Sequence, residues 1–394
     1  MHKTLEKQLN QTMFIKSQNT TNIEYYIKLL KVAGGLTNLF SESQEPYLYY
    51  RYVENLFCKS FNADNLSRSD TSADASKGKL GIGIKTFSFR NGRSFEKIAE
   101  FNKNLHVFKN LETEAMIRKI TKLRNERIET TKRVFNLDKI IYHCVARRTG
   151  GILIYEQLMN PIKTENIKNI DIDENIINFK DGVEEYKFNI SKSTLYKRFT
   201  ADEIALDFNV TIFNDPFQEL EKLFNEIRNI VFSPIREQEH IFLPLYSYDK
   251  TSREKIVYSR SGLNQWNAGG RSRNIGEVYI PIPAWIHRTY PTFFPAKDVK
   301  FNLILPNKKI LKAKLCQENS KALMSDPNKA LGEWLLRDIL NLQDGEVLTY
   351  EKLAELGIDS VVIYKTADSE YDIDFTKIGS YEDFKNDLEL EDNE

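Results

Sequence analysis

Asp74 and Lys85 stand 11 residues apart in "DTSADASKGKLGIGIKTFSF", a carboxylate on a polar segment and a lysine planted in an apolar run. Those two residue types suit metal-assisted chemistry on a phosphodiester. Carboxylate oxygens suit Mg²⁺, which keeps several waters and bridges to phosphate, while a lysine orients a water or neutralises the phosphate. Read as a strand, "LGIGIKTF" sets Gly81, Gly83, Lys85 and Phe87 on one face and Leu80, Ile82, Ile84 and Thr86 on the other. Glycine inside a strand often marks a close approach of another backbone, and a phosphodiester fits that description. Further carboxylates flank the pair. Glu54 lies in the middle of the apolar helix "YLYYRYVENLFCKSF", and a helix starting near Ser94 would place Glu96 and Glu100 on one face at i and i+4. Singly, each reads as well as a turn residue, a strand gatekeeper or a solvated helix face. Their order and their convergence on one strand make the candidate site.

A second constellation lies in "YSRSGLNQWNAGGRSRNIGEVYIPIPAWIH", where Arg260, Asn264, Gln265, Asn267, Arg271 and Arg273 surround Trp266 and a flexible "AGG". Arg reads guanine and Asn or Gln reads adenine in the major groove, so the vocabulary is that of base recognition. The bland reading is an ordinary hairpin loop with Trp266 in the core. A polar stretch from Cys316 to Trp334 follows and ends in a helix whose N-terminus can hold a phosphate.

The elements that must position these groups divide in two. Helices fill residues 1–60, broken at Ala33–Gly35, the second entering through Pro46; strand-like runs, the Ser94 helix and a charged helix in "ETEAMIRKITKLRNERIETTKRVF" follow. Then come the strands "KIIYHCVARR" and "GILIYEQLM" and the helix "DPFQELEKLFNEIRNIVF". From His240 the texture is strand-rich with Gly, Asn and Pro turns, as in a small β-barrel. At 394 residues two domains are expected.

Net charge is zero, but residues 366–394 carry 11 acidic and 2 basic side chains, leaving 54 basic against 45 acidic elsewhere. The expectation is a basic body with a solvating acidic tail. No apolar run is long enough for a membrane helix and no secretory signal is visible, so the cytoplasm is the expected compartment. Cys58, Cys144 and Cys316 form no CxxC pair, arguing against disulfides and zinc.

The first half resembles the PD-(D/E)XK nuclease core, an α/β restriction-endonuclease-like fold in which Asp ends one strand and a (D/E)-X-K triplet occupies the next. Here the triplet is "GIK", Gly83 to Lys85, so one carboxylate is missing. Some restriction endonucleases take it from the following helix and add a glutamate from an early helix. The resemblance implies Mg²⁺ ligands Asp74 and Glu100, Glu54 as assisting carboxylate, Lys85 as phosphate or water partner, and Glu96 as substitute if Glu100 points away. The vacant side of position 83 would admit the replacement.

The second half resembles the B3-like DNA-binding domain of NgoFVII-type and EcoRII-type restriction endonucleases, a β-rich pseudobarrel, through "GLNQWNAGGR", "EVYIPIPAWIH", "FFP" and "LCQENSKALMSDPNKALGEWLLRD". That resemblance implies two arms entering the major groove, Ser259–Arg273 and Glu318–Lys329, the second with Lys321, Ser325, Asn328 and Lys329 as DNA contacts. Several such enzymes carry an HxK nuclease, but none of the five histidines here has lysine two positions later, and no phosphate loop suggests ATP. The expectation is a type II restriction endonuclease acting on double-stranded DNA with Mg²⁺. Its expected parts are a catalytic domain at 1–235, a B3-like recognition domain at 236–367 and an acidic tail at 368–394, with a homo-oligomer allowed. The alternatives are a non-catalytic sequence-specific DNA-binding protein and a structure-specific or RNA-directed nuclease.

Overall fold

The computed structural model describes residues 13–66, 71–108, 110–227, 238–264 and 276–388. Contacts divide the chain into one compact unit of residues 1–67, 71–124 and 137–234, and another of 68–70, 125–136 and 235–394. Among the described residues no helix is long and apolar enough to cross a membrane.

Two helices open the first unit. In α1 (Thr20–Gly35) the Asn19 side chain accepts the Asn22 N–H at 2.8 Å, a cap that satisfies one orphan donor. In α2 (Tyr50–Phe61) Val53, Leu56, Phe57 and Phe61 recur at helical spacing and are buried. Pro46 lies before α2, outside its first turn. It packs on Gly34, where an added Cβ would lie only 2.9 Å from the Pro46 Cβ.

The main sheet runs β1-β2-β3-β5-β6-β11, from β1 (Asp64–Asn65), β2 (Ala75–Lys77), β3 (Leu80–Ser88), β5 (Lys139–Arg148), β6 (Gly151–Leu158) and β11 (Leu206–Asn209). Only β3 and β5 pair in parallel, with Lys85 opposite Cys144. A parallel pair demands a long crossover, and helix α3 (Thr113–Phe135) supplies it. Ile82 and Ile84 pack one sheet face on Val53, Phe57, Tyr26 and Leu30. On that face Tyr26 Oη is 3.2 Å from His143 Nε2, and His143 Nδ1 is 2.8 Å from Glu156 Oε1, tying α1 to β5 and β6.

The Ser94 segment departs from expectation. Arg93–Glu100 is a strand, β4, at the edge of a second, antiparallel sheet β4-β10-β9-β8-β7. The others are β7 (Lys168–Asp173), β8 (Ile176–Lys180), β9 (Glu185–Asn189) and β10 (Thr194–Thr200). Pairing with β10, which runs Leu195, Tyr196, Phe199 and Thr200, overrides the local helical spacing. Phe179, Phe188 and Leu195 of this sheet pack against Ile117 and Ile120 of α3. The first unit closes with α4 (Pro216–Ile227).

The second unit is a seven-stranded sheet in the order β12-β19-β20-β16-β17-β18-β15. Its strands are β12 (His240–Pro244), β15 (Ile280–Pro281), β16 (Phe301–Ile304), β17 (Ile310–Cys316), β18 (Ala322–Ser325), β19 (Ile358–Ala367) and β20 (Glu370–Lys377), and edge strands β12 and β15 touch, so the barrel nearly closes. A short ribbon, β13 (Ser247–Tyr248) and β14 (Lys255–Ile256), and helices α5 (Ala284–Thr289) and α6 (Tyr350–Leu356) complete it. The acidic run is not a tail over its described length. Tyr371, Ile373 and Phe375 alternate inward, which makes Glu370–Lys377 a barrel strand between β19 and β16, followed by α7 (Ser380–Asp387).

Candidate active site and DNA interface

Asp74 is locked at the turn into β2. Its N–H donates to the Ile82 carbonyl (2.8 Å), its carbonyl accepts from Leu66 N–H (2.9 Å), and its Oδ2 accepts from Ile84 N–H (2.6 Å). The second carboxylate oxygen has no partner among the described residues. Glu54 on α2 is 5 % exposed and accepts from Arg51 Nη1 at 3.0 Å. Burial, then the charge of Asp74, raises its carboxyl to about 7, against the pull of Arg51 and Lys85. Burial likewise pushes Asp74 up, opposed by Lys85 and the Ile84 N–H. It pushes the Lys85 amine down, opposed by Asp74 and reinforced by Arg124. Glu96 is raised by burial, and the Ser94 hydroxyl that donates to it and the Lys85 charge hold it back. The Lys85 charge therefore lowers the carboxyls of Glu54, Asp74 and Glu96 alike, and Asp74 in turn holds the Lys85 amine up.

Glu100 does not join them. It is exposed, paired with Lys97 Nζ at 3.0 Å and with the Asn102 amide. The cause is a β-bulge. Glu96 pairs with Lys197 and Glu100 with Thr194, three residues apart on β10, so the two glutamates face opposite sides of the sheet. Among the described residues no three His, Cys, Asp or Glu side chains make a ready metal cage. Mg²⁺ does not require one, since it uses one or two carboxylates, several waters and substrate phosphate.

Position 83 offers no opening. A Cβ there would lie 2.7 Å from Met159 Cε, 3.2 Å from the Ser72 carbonyl and 3.6 Å from Tyr142 Cδ1, and one on Gly81 would meet Leu137 and Ile140 at 2.8 and 3.0 Å. The glycines make room for neighbouring side chains, not for a phosphate or a borrowed carboxylate. Arg124 fixes this roof by donating to Ser72 Oγ (2.8 Å), Tyr142 Oη (3.0 Å) and Met159 Sδ (3.2 Å). Gly83→Asp is accordingly expected to destabilise the protein by about 2–4 kcal/mol through overpacking and a buried charge, with no gain in cleavage; urea unfolding reads it.

In the second unit Gln265, Trp266, Asn267, Arg271 and Arg273 lie outside the described residues. Arg260 is exposed. Asn264 is a clamp: its amide donates to the Tyr258 and Leu348 carbonyls (3.1 and 2.9 Å) and its Oδ1 accepts the Leu348 N–H (2.8 Å). Ser325 is 1 % exposed, donating to the Pro327 carbonyl (2.9 Å) and accepting Leu331 N–H (2.8 Å). Both hold the scaffold with the groups a base would need. The proposed second arm contains the buried strand β18, roughly 13 Å long, between exposed Lys321 and the pair Asn328 and Lys329. Asn328 donates to Glu277 Oε1 (3.3 Å), Lys329 pairs with Glu333 (3.2 Å), and the Gly276 carbonyl packs directly on Gly332. The base of the first arm thus meets the 326–332 end of the second.

Sequence reading missed a lysine row beside that junction. Lys312 and Lys314 share one face of β17, Asp326 N–H donates to the Lys312 carbonyl (2.7 Å), and Lys300 pairs with Asp326 (2.7 Å). Alternate lysines in "KKILKAKLC" were the signal. Phosphate contacts set the salt dependence of DNA binding. Lys312→Glu/Lys314→Glu is expected to weaken binding to all duplex sequences alike and to flatten log K against log salt by about 2, as fluorescence anisotropy over a salt series would show.

No curated protein matches the chain. Residues 238–367 match the family model of the NgoFVII C-terminal B3-like DNA-binding domain, so the nearly closed β-barrel of the second unit is similar to the DNA-binding part of a restriction enzyme.

Proposed function

We propose that the chain is a type II restriction endonuclease that hydrolyses double-stranded DNA at a sequence read by its B3-like domain, with Mg²⁺ as cofactor. The observation that carries this reading is the group Glu54, Asp74 and Glu96 about Lys85, in a chain that also has a B3-like DNA-binding domain. The α2–β2–β3 arrangement with a helical crossover to a parallel β5 supports a PD-(D/E)XK type of core. The free oxygen of Asp74, with Glu96 in place of Glu100, suits the hard oxygen chemistry of Mg²⁺, which when bound acidifies water and neutralises phosphate charge. Lys85, its amine lowered by burial, orients the attacking water beside Asp74. Glu54, titrating near neutrality, takes or returns a proton at its carboxylate.

Plasmid incubated with Mg²⁺ or with EDTA tests the reading. Discrete, metal-dependent fragments support it; shifted but intact DNA favours a non-catalytic binder, the reading that the closed position 83 keeps in play. Competition between duplex DNA and RNA separates a DNA enzyme from an RNA-directed one.

Glu54 also makes a stability prediction. Its folded pKa lies above the unfolded value, so its contribution is complete below the unfolded pKa near 4.5 and is lost as pH rises through about 7. Glu54→Gln is expected to raise stability at pH 8 by about 1–3 kcal/mol, a gain that vanishes below pH 4.5, while slowing cleavage. Thermal melting across pH measures it.

A further inference from the structure

We propose that the first unit holds a separate ligand site, a cavity of about 680 Å³ lined by residues of α3, β5, β9 and β10 that takes a mononucleotide-like anion, a phosphate carrying a planar ring, with Arg124 as its buried cation. The volume falls within the roughly 300–1,000 Å³ usual for small-ligand sites. Its floor is Arg124, Tyr142, Tyr186 and Lys197, none more than 4 % exposed, and Lys163 stands exposed at the rim.

The charges there do not cancel one another. Lys197 is matched by Glu184 at 2.9 Å. Asp181 is occupied by the N–H groups of Lys163, Val183 and Glu184 at 3.2, 3.0 and 2.8 Å and by the Tyr186 hydroxyl at 3.4 Å. Arg124 has only neutral partners, Ser72, Tyr142 and Met159. Among the described residues two of its five donors are unused and it forms no ion pair. A buried guanidinium without a counter-charge is costly, and phosphate is the anion its geometry suits best. Lys163 also lacks an ion-pair partner among the described residues. The free charge is therefore positive, set in a wall of tyrosine and aliphatic carbon that suits the ring of a nucleotide.

A free nucleotide and a nucleotide of a strand share this chemistry. The site goes beyond the nuclease reading and stands without it, because binding is measured with EDTA present. Calorimetry on the full chain would use inorganic phosphate, dAMP and a 5′-phosphorylated single-stranded oligonucleotide. Saturable dAMP binding, at least tenfold weaker in Lys163→Glu and Arg124→Met, establishes a free-nucleotide site; the same loss confined to the oligonucleotide assigns the ligand to a strand. Should Arg124→Met fail to fold, the rim variant Lys163→Glu decides. The proposal is overturned if neither nucleotide probe binds, if Lys163→Glu binds both as the wild type does, or if phosphate alone binds as tightly as dAMP.

Discussion

A Lys85→Ala chain is expected to bind its DNA site as the wild type does and to cut it roughly 10³-fold more slowly. The Lys85 charge lowers the carboxyl of Asp74, Glu54 and Glu96 alike, so its loss removes the one cation common to the three candidate carboxylates. Binding should survive because the B3-like match lies wholly within 238–367. The fold should survive too. Lys85 stands on β3, whose register against β5 is fixed by nine paired residues, and alanine keeps the backbone bonds. Anisotropy on a cognate duplex and a plasmid time course, read together, decide the matter. Cutting at the wild-type rate removes Lys85 from the mechanism, whereas loss of binding together with cutting points to unfolding, which circular dichroism detects.

What could be read from the sequence, and what could not, separates along physical lines. Strands β5 and β6 announce themselves as apolar runs bounded by turn residues, and α3 as a long charged helix, because their patterns are local. Glu54 and Lys85 stand out because charge is rare in apolar surroundings, and Asp74 by its spacing from Lys85. β4 misled because "SFEKIAE" spaces Phe95 and Ile98 as a helix would, and only β10, about a hundred residues on, makes it a strand. β20 was hidden by its acid count, although Tyr371, Ile373 and Phe375 alternate. Gly83 looked vacant because Met159, which fills its side, lies 76 positions away. Asn264 and Ser325 are of types that read bases or hold loops equally well. Which role each plays is set by Leu348 and Leu331, and no local pattern names those partners.

Asp74→Asn is expected to cost cleavage at least as much as the lysine variant, about 10³-fold or more, for a different reason. The substitution is nearly isosteric, and the amide oxygen can still accept the Ile84 N–H that the carboxylate accepts at 2.6 Å, so the turn into β2 is kept. What disappears is the negative charge. Two readouts follow besides rate. A rise in melting temperature on adding Mg²⁺, expected of the wild type because a ligand that binds only the folded state stabilises it, should be absent. The Lys85 amine, already lowered by burial and held up by Asp74, should fall further, moving the alkaline limb of residual cleavage to lower pH. A structural role for Asp74 alone would lower the melting temperature equally with and without Mg²⁺ and leave the pH profile in place. Unchanged cleavage with unchanged Mg²⁺ dependence would show that the carboxylate at the turn is not part of the metal site, and Glu54 and Glu96 would then have to hold the ion by themselves.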